Sequence, residues 1–188
     1  MSHESPLEPS DITASVVRAL VLYSLAEFQS GHARKIRVTA KGSSFSVEDD
    51  GRGHAISRTV EGSPYLSFVY THLSYPFEPG PGKPVQLHGI GMSLLNTLCA
   101  ELTVTVRKPD ALLRMQFQHG YLIHQEVFEA GSDNTGNTIS GVVDAKHGEP
   151  LVDEENLSRW LFSILAASPA LHLHFNGQEL PKPHAGDA

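Results

Sequence analysis

Phe45-Ser46-Val47-Glu48-Asp49-Asp50-Gly51-Arg52-Gly53 reads as a strand that stops abruptly in a carboxylate-rich turn hinged on two glycines. Phe45 and Val47 alternate with polar neighbours, the pattern of a half-buried strand. Gly51 and Gly53, one residue apart, let the backbone turn tightly and come close to a ligand with no Cβ in the way. A carboxylate fixed at such a strand end can accept a hydrogen bond from an amino group. Taken alone, the same residues also describe an acidic surface turn, so their meaning depends on what else the chain contains.

Further along, Leu87-His88-Gly89-Ile90-Gly91-Met92-Ser93-Leu94-Leu95-Asn96-Thr97-Leu98 places a glycine-bracketed turn directly before an apolar, helix-like run. Backbone N–H groups at a helix start, approached over glycines, form an anion site. In this order and on a strand–helix background, the two stretches resemble the ATP-binding domain of the B subunits of DNA gyrase and topoisomerase IV, within the GHKL or Bergerat group. Ser30-Gly31-His32 leading into Lys35-Ile36-Arg37-Val38 belongs to the same resemblance, which extends more faintly through Thr135-Gly136. The implied fold is α+β: a two-layer sandwich whose mixed, mostly antiparallel sheet is covered on one face by helices.

Composition fits one ordinary globular domain. The 188 residues are 40% hydrophobic and 19% charged, enough for a sizeable core. The N-terminus has neither a basic start nor an apolar signal core, and no run reaches the roughly 18 apolar residues of a membrane span. These features point to a cytoplasmic protein with no membrane partner. The net charge of −7 weighs against direct nucleic-acid binding, which rests on clustered Lys and Arg. Cys99 is the single cysteine, placed by its apolar neighbours in the helix after the glycine turn and read as a buried structural thiol. Of eleven histidines, His172 and His174 alone alternate on one strand face, too few ligands for zinc.

In chain order, residues 1–10 form a loose tail, 11–180 the domain and 181–188 a second tail. Ser10 or Asp11 is placed to cap a helix whose apolar positions recur from Ile12 through Gln29, with Ser30-Gly31 as the stop. Strands Ile36–Ala40 and Phe45–Glu48 pair across Lys41-Gly42-Ser43-Ser44. A helical pattern runs from Val60 to Ser74, and the Pro- and Gly-rich segment 75–84 cannot be helix or central strand; the resemblance makes it a lid over phosphates. A helix at 91–101 precedes strands Leu102–Arg107, Leu112–Phe117, Tyr121–Phe128 and Thr138–Val143. A helix at Asp153–Ala167 and a strand at Ala170–Phe175 complete the set.

The resemblance assigns roles residue by residue. Asp49 is the acid that accepts from the adenine amino group, Arg52 packs beside the adenine edge, and Gly53 makes room for the base. Asp50 reads as a turn residue. Leu87, His88, Gly89, Ile90 and Gly91 match the phosphate-contacting turn, where backbone N–H groups do the binding. Lys108 falls where the family commonly has an arginine, keeping the charge and losing the planar fork. Asn137 falls where a threonine supports the adenine-binding acid through a water, with Thr138 as the alternative register.

The chain departs from the family in its first helix. Aligning back from Gly31-His32 puts Ala19 where the family has the glutamate that activates water, and Tyr23 where it has the asparagine that holds Mg²⁺. Residues four apart share a helix face, so both side chains are expected to face the site, yet alanine is no base and tyrosine is a poor ligand for a hard cation. Glu27 continues the stripe but lies roughly 12 Å beyond Ala19. The expectation is therefore a domain that takes ATP or ADP with Mg²⁺ binding weakened or absent and no catalytic residue, a pseudo-ATPase binding or regulatory module. Two alternatives stand beside it. One is an active ATPase completed by a partner, disfavoured because the resemblance does not extend to a following transducer domain. The other is a ligand-free module for a protein partner, in which the Tyr23 ring fills the place of metal and phosphate.

Overall fold

A computed structural model describes residues 12–60, 62–72, 91–129, 131, 133–147 and 152–182. Helix α1 covers Ile12–Gln29, as the periodicity predicts. It stops in a paired hydrogen-bond motif: the Gly31 N–H donates to the Phe28 carbonyl and the His32 N–H to that of Glu27, each 2.9 Å, which satisfies carbonyls the helix end leaves over. Strands β1 (Lys35–Lys41) and β2 (Ser44–Asp49) follow, paired antiparallel with Lys41 opposite Ser44. Then come a short hairpin of β3 (Thr59–Val60) and β4 (Ser63–Pro64), α2 (Tyr65–Thr71) and α3 (Met92–Leu98). The long strands β5 (Cys99–Arg107), β6 (Ala111–Gln118), β7 (Tyr121–Glu129) and β8 (Gly136–Val143) are followed by a 3₁₀ turn at Ala145–His147, α4 (Glu154–Ala167), β9 (His172–Phe175) and β10 (Gln178–Glu179).

Among the described residues, eight strands form one sheet in the order β10-β9-β1-β2-β8-β5-β6-β7. β1 and β9 run parallel and the other neighbours antiparallel. Burial alternates along the central strands, so one face carries Ile36, Val38, Phe45, Val47, Val104, Val106, Leu113, Met115 and Ile139 into the core. α1 lies on β1, β2 and β8, and α4 on β9. The architecture is α+β, a two-layer sandwich with a mostly antiparallel sheet. α4 is capped by Asp153, whose carboxylate accepts from the Asn156 N–H at 2.9 Å, with Glu154 and Glu155 in the first turn where the helix dipole favours them.

Several expectations are corrected. The helical pattern at Val60–Ser74 gives a hairpin first, because Gly62 takes a positive φ of 80° and turns Val60 back onto Ser63; the helix starts only at Tyr65. The helix predicted over 91–101 ends at Leu98, because Cys99 is drawn into β5 opposite Val143. Its thiol is buried and donates to the Leu95 carbonyl at 3.3 Å, and burial pushes it up to about 12. The last predicted strand shortens to His172–Phe175, and the Asn176-Gly177 turn leads into β10. α1 has the length and hydropathy of a membrane span, contrary to the reading of the bare sequence, but Thr13, Ala14, Val16, Val17, Leu20, Val21, Ser24 and Leu25 are buried within the fold. The predicted cap at Ser10 or Asp11, the segment 75–84 and tail residues 1–10 and 183–188 lie outside the described residues.

Candidate functional site

β2 ends at Asp49, and everything the sequence singled out near it gathers between α1 and the ends of β5 and β8. Asp49 is 2% exposed. Its Oδ1 accepts from the backbone N–H of Gly51 at 3.0 Å and of Asn137 at 3.3 Å, and its Oδ2 accepts from the Ser24 hydroxyl on α1 at 3.0 Å. Burial raises its pKa, these three donors oppose the rise, and Glu27 nearby adds to it. A carboxylate has about four acceptor positions, so one on Oδ2 remains for a further donor.

β8 approaches this strand end closely because it begins at Gly136. A Cβ there would lie 2.0 Å from the Asp49 carbonyl oxygen, and its φ of +124° is a conformation other residues rarely adopt. Gly53, at φ +70°, is similarly enclosed: a Cβ would meet the Arg107 carbonyl at 2.9 Å and the Val106 side chain at 3.0 Å. Gly53 therefore lets the loop lie against the sheet, a role distinct from the expected clearance for a base.

Arg52 engages α1. Its Nη2 donates to Glu27 Oε1 at 2.8 Å, and its Nε and backbone N–H both reach Oε2 at 3.2 Å. The arginine's hydrogen bond is the main reason the Glu27 carboxyl titrates below its ordinary value. Lys108 extends Nζ to the carbonyls of Arg52, 2.8 Å, and Gly53, 2.9 Å, so it holds the loop from the sheet side. Burial lowers its pKa. Asp50 accepts from the Arg34 and Lys35 N–H groups at 2.7 and 2.8 Å, pinning the turn to the start of β1.

Asn137 is buried and bonded on both sides, its N–H to Asp49 and its Oδ1 to the His54 N–H at 2.9 Å. Thr138, the alternative register, accepts instead from Arg107, whose guanidinium also donates to the Asp49 carbonyl at 3.0 Å. His54 lies inside the protein, 4% exposed. The Tyr23 hydroxyl is 2.8 Å from its Nδ1 and the Tyr70 hydroxyl 3.3 Å from its Nε2. Burial lowers His54 to about 4, so the imidazole is neutral at physiological pH, and burial likewise raises both phenols. Tyr23 thus faces the Asp49 loop, with Glu27 one turn on. Ala19, one turn before, packs against the hydrophobic core.

The sequence reading missed Ser24, His54, Tyr70 and Arg107. None follows a spacing rule; only the fold brings them beside Asp49. Of the phosphate-turn residues, Leu87, His88, Gly89 and Ile90 lie outside the described residues. Gly91 is the N-cap position of α3 and its carbonyl accepts from Leu95 at 2.9 Å. His172 is hydrogen-bonded to Glu179 at 2.7 Å, and among the described residues no three His, Cys, Asp or Glu side chains are grouped to hold a metal.

The arrangement offers one firmly held acceptor and, among the described residues, no group of metal ligands. An exocyclic amino group has an acceptor in Asp49, which is fixed by α1, β8 and its own turn. Mg²⁺ has no carboxylate or amide on this face of α1 before Glu27, and the Tyr23 hydroxyl is already engaged with His54.

No family model matches the chain. Curated relatives do. The B subunit of DNA gyrase from Campylobacter jejuni is 29% identical over 166 residues, 85% of this chain and 22% of that protein. Its counterpart from Spiroplasma citri is 32% identical over 137 residues, 70% of this chain and 21% of that protein. The B subunit of DNA topoisomerase 4 from Salmonella typhimurium is 30% identical over 129 residues, 62% of this chain and 20% of that protein. The chain therefore spans about a fifth of the length of these relatives. The topoisomerase IV ATP-binding domain of Francisella tularensis, solved with a small-molecule inhibitor, superposes with a TM-score of 0.74 at 22% identity, over 88% of this chain and 83% of that one. That likeness establishes the fold.

Proposed function

We propose that this chain, a relative of the B subunits of DNA gyrase and topoisomerase IV with the GHKL fold of their ATP-binding domain, binds an adenine nucleotide and does not hydrolyse it. The observation that carries the reading is Asp49, held by Ser24 of α1, Gly51 and Asn137; the absence of hydrolysis rests on the alignment that puts Ala19 and Tyr23 where the family has its base and metal ligand. Asp49 receives the amino group, Asn137 fixes its orientation, and Arg52 and Lys108 hold the loop. Leu87, His88, Gly89, Ile90 and Gly91 would meet the phosphates through backbone N–H groups. The ligand is ATP or ADP, with little dependence on Mg²⁺.

The reading includes a single domain over residues 11–180 with a tail on either side, a cytoplasmic pseudoenzyme that acts on a protein partner. The −7 charge argues against DNA as that partner, and the burial of α1 in the core argues against a membrane. Isothermal titration with ATP and ADP, with and without Mg²⁺, tests it alongside a phosphate-release assay. Binding indifferent to Mg²⁺ with no release is the expected result. Release that needs Mg²⁺ and disappears in Asp49→Asn would instead establish an ATPase, and absence of binding at saturating nucleotide would remove the nucleotide claim.

A second reading has its own observation. The Tyr23 hydroxyl is bonded to His54, which is bonded to Tyr70, and in this reading these side chains take the place of a ligand beside Asp49. In that reading the domain is a ligand-free interaction module. Titration separates the two: recovery of nucleotide affinity in Tyr23→Ala, with none in the wild type, would favour the plugged module.

A further inference from the structure

β7 closes one end of the sheet, and among the described residues nothing pairs with its outer edge. Natural edge strands are normally short, covered or heavily charged. β7 is nine residues long and exposed almost throughout. Tyr121 is 76%, Ile123 54% and Val127 62% exposed, with Leu122 and Phe128 exposed beside them. Such a concentration of apolar side chains on an open ladder marks a contact surface.

The order of residues says which partner fits. In the strand Tyr121-Leu122-Ile123-His124-Gln125-Glu126-Val127-Phe128-Glu129 a basic and an acidic side chain, His124 and Glu126, flank the middle residue, Gln125. An antiparallel copy centred there sets His124 against Glu126 on each side of the two-fold axis. His124 and Glu126 already lie on one face, 3.4 Å apart within the strand, so pairing would alternate two histidines and two glutamates across the junction. Ile123 is an extra residue opposite β6, between His124 facing Gln116 and Leu122 facing Phe117, so the matched pairs are those at the centre, His124 with Glu126, where the strand is regular. We propose that β7 is a self-association edge, through which two copies of this chain join antiparallel about Gln125 into one continuous sheet with an isologous interface.

Sedimentation velocity on the full chain over a concentration series tests this. The wild type is expected to pass from monomer to dimer. Val127→Lys, at an exposed position, is expected to leave the circular dichroism unchanged and abolish the dimer. His124→Glu, which sets like charges opposite each other twice, should weaken association roughly tenfold, and His124→Glu combined with Glu126→His should restore it. Directly opposed residues of an antiparallel pair are close enough for a disulfide, so Gln125→Cys should cross-link under mild oxidation while buried Cys99 stays silent. A chain monomeric at every concentration, a dimer indifferent to Val127→Lys, or failure of Gln125→Cys to cross-link would overturn the proposal.

Discussion

The Tyr23 hydroxyl stands 2.8 Å from Nδ1 of His54, joining the first helix to the loop after Asp49 through a histidine held neutral by burial. Protonating that ring would require a charge inside the core with two phenols as its nearest side-chain partners. An unfolded histidine titrates near 6.5, whereas His54 does so at about 4. Between those values the unfolded chain holds the extra proton, so this contribution is intact above the unfolded value and is lost as the pH falls toward 4. Across that window, urea unfolding of the wild type should lose about 3 kcal/mol more than that of His54→Leu.

Asp49 titrates with the opposite sign. Its folded pKa is raised above the ordinary 3.8, so the folded chain binds the proton more tightly and ionisation takes stability away as the pH rises through the folded value. Asp49→Asn removes that dependence. It also presents an amide N–H₂ to donors that were satisfied by a carboxylate, and is expected to cost about 1–3 kcal/mol in chemical denaturation. Nucleotide affinity measured by titration should fall roughly tenfold or more.

Gly136→Ala is expected to be among the most damaging single-methyl changes in the chain. The added carbon would lie 2.0 Å from the Asp49 carbonyl, so β8 must move away from β2 just where Asn137 meets the carboxylate. A loss of about 3 kcal/mol or more, read as a lowered melting temperature, is the expected outcome. Gly31→Ala, where a Cβ would meet nothing within 4 Å, should cost less.

The Arg52–Glu27 pair is a milder case. The arginine side chain is 60% exposed and the glutamate 18%, so solvent screens part of the attraction. The two-point contact and the Arg52 N–H keep it above an ordinary surface pair. Glu27→Gln should cost about 0.5–1 kcal/mol at neutral pH, and the difference from wild type should shrink as acid protonates Glu27, whose folded pKa lies below 4.5. Denaturation at two pH values measures both.

α1 was legible to its last residue because its apolar positions recur over eighteen residues and a glycine turn marks its end. The long antiparallel strands were legible within a residue or two, except that β5 starts three residues early at Cys99, because period-two patterning and turn residues agree there. The failures are shorter. Two residues each in β3, β4 and β10 leave no periodicity to detect, and Cys99 joins a strand through its pairing with Val143, which no local pattern encodes. At the site, Asp49 was marked by its glycines. Glu27 is visible on the helix stripe only as an acid too far along to replace a base at Ala19; the structure gives it Arg52 instead. Ser24, His54 and Arg107 reach the site only through contacts between residues far apart in the chain, so their roles needed the fold.

β9 hydrogen-bonds parallel to β1, which places residues 172–175 beside residues 35–38. While the chain is still being synthesised, Ile36 to Val38 have β2 on one side and an open ladder on the other until residues as late as Phe175 have left the ribosome. Closure of that edge thus waits on a pairing between residues more than 130 positions apart, and until β9 arrives the open ladder of β1 is a template for mispairing.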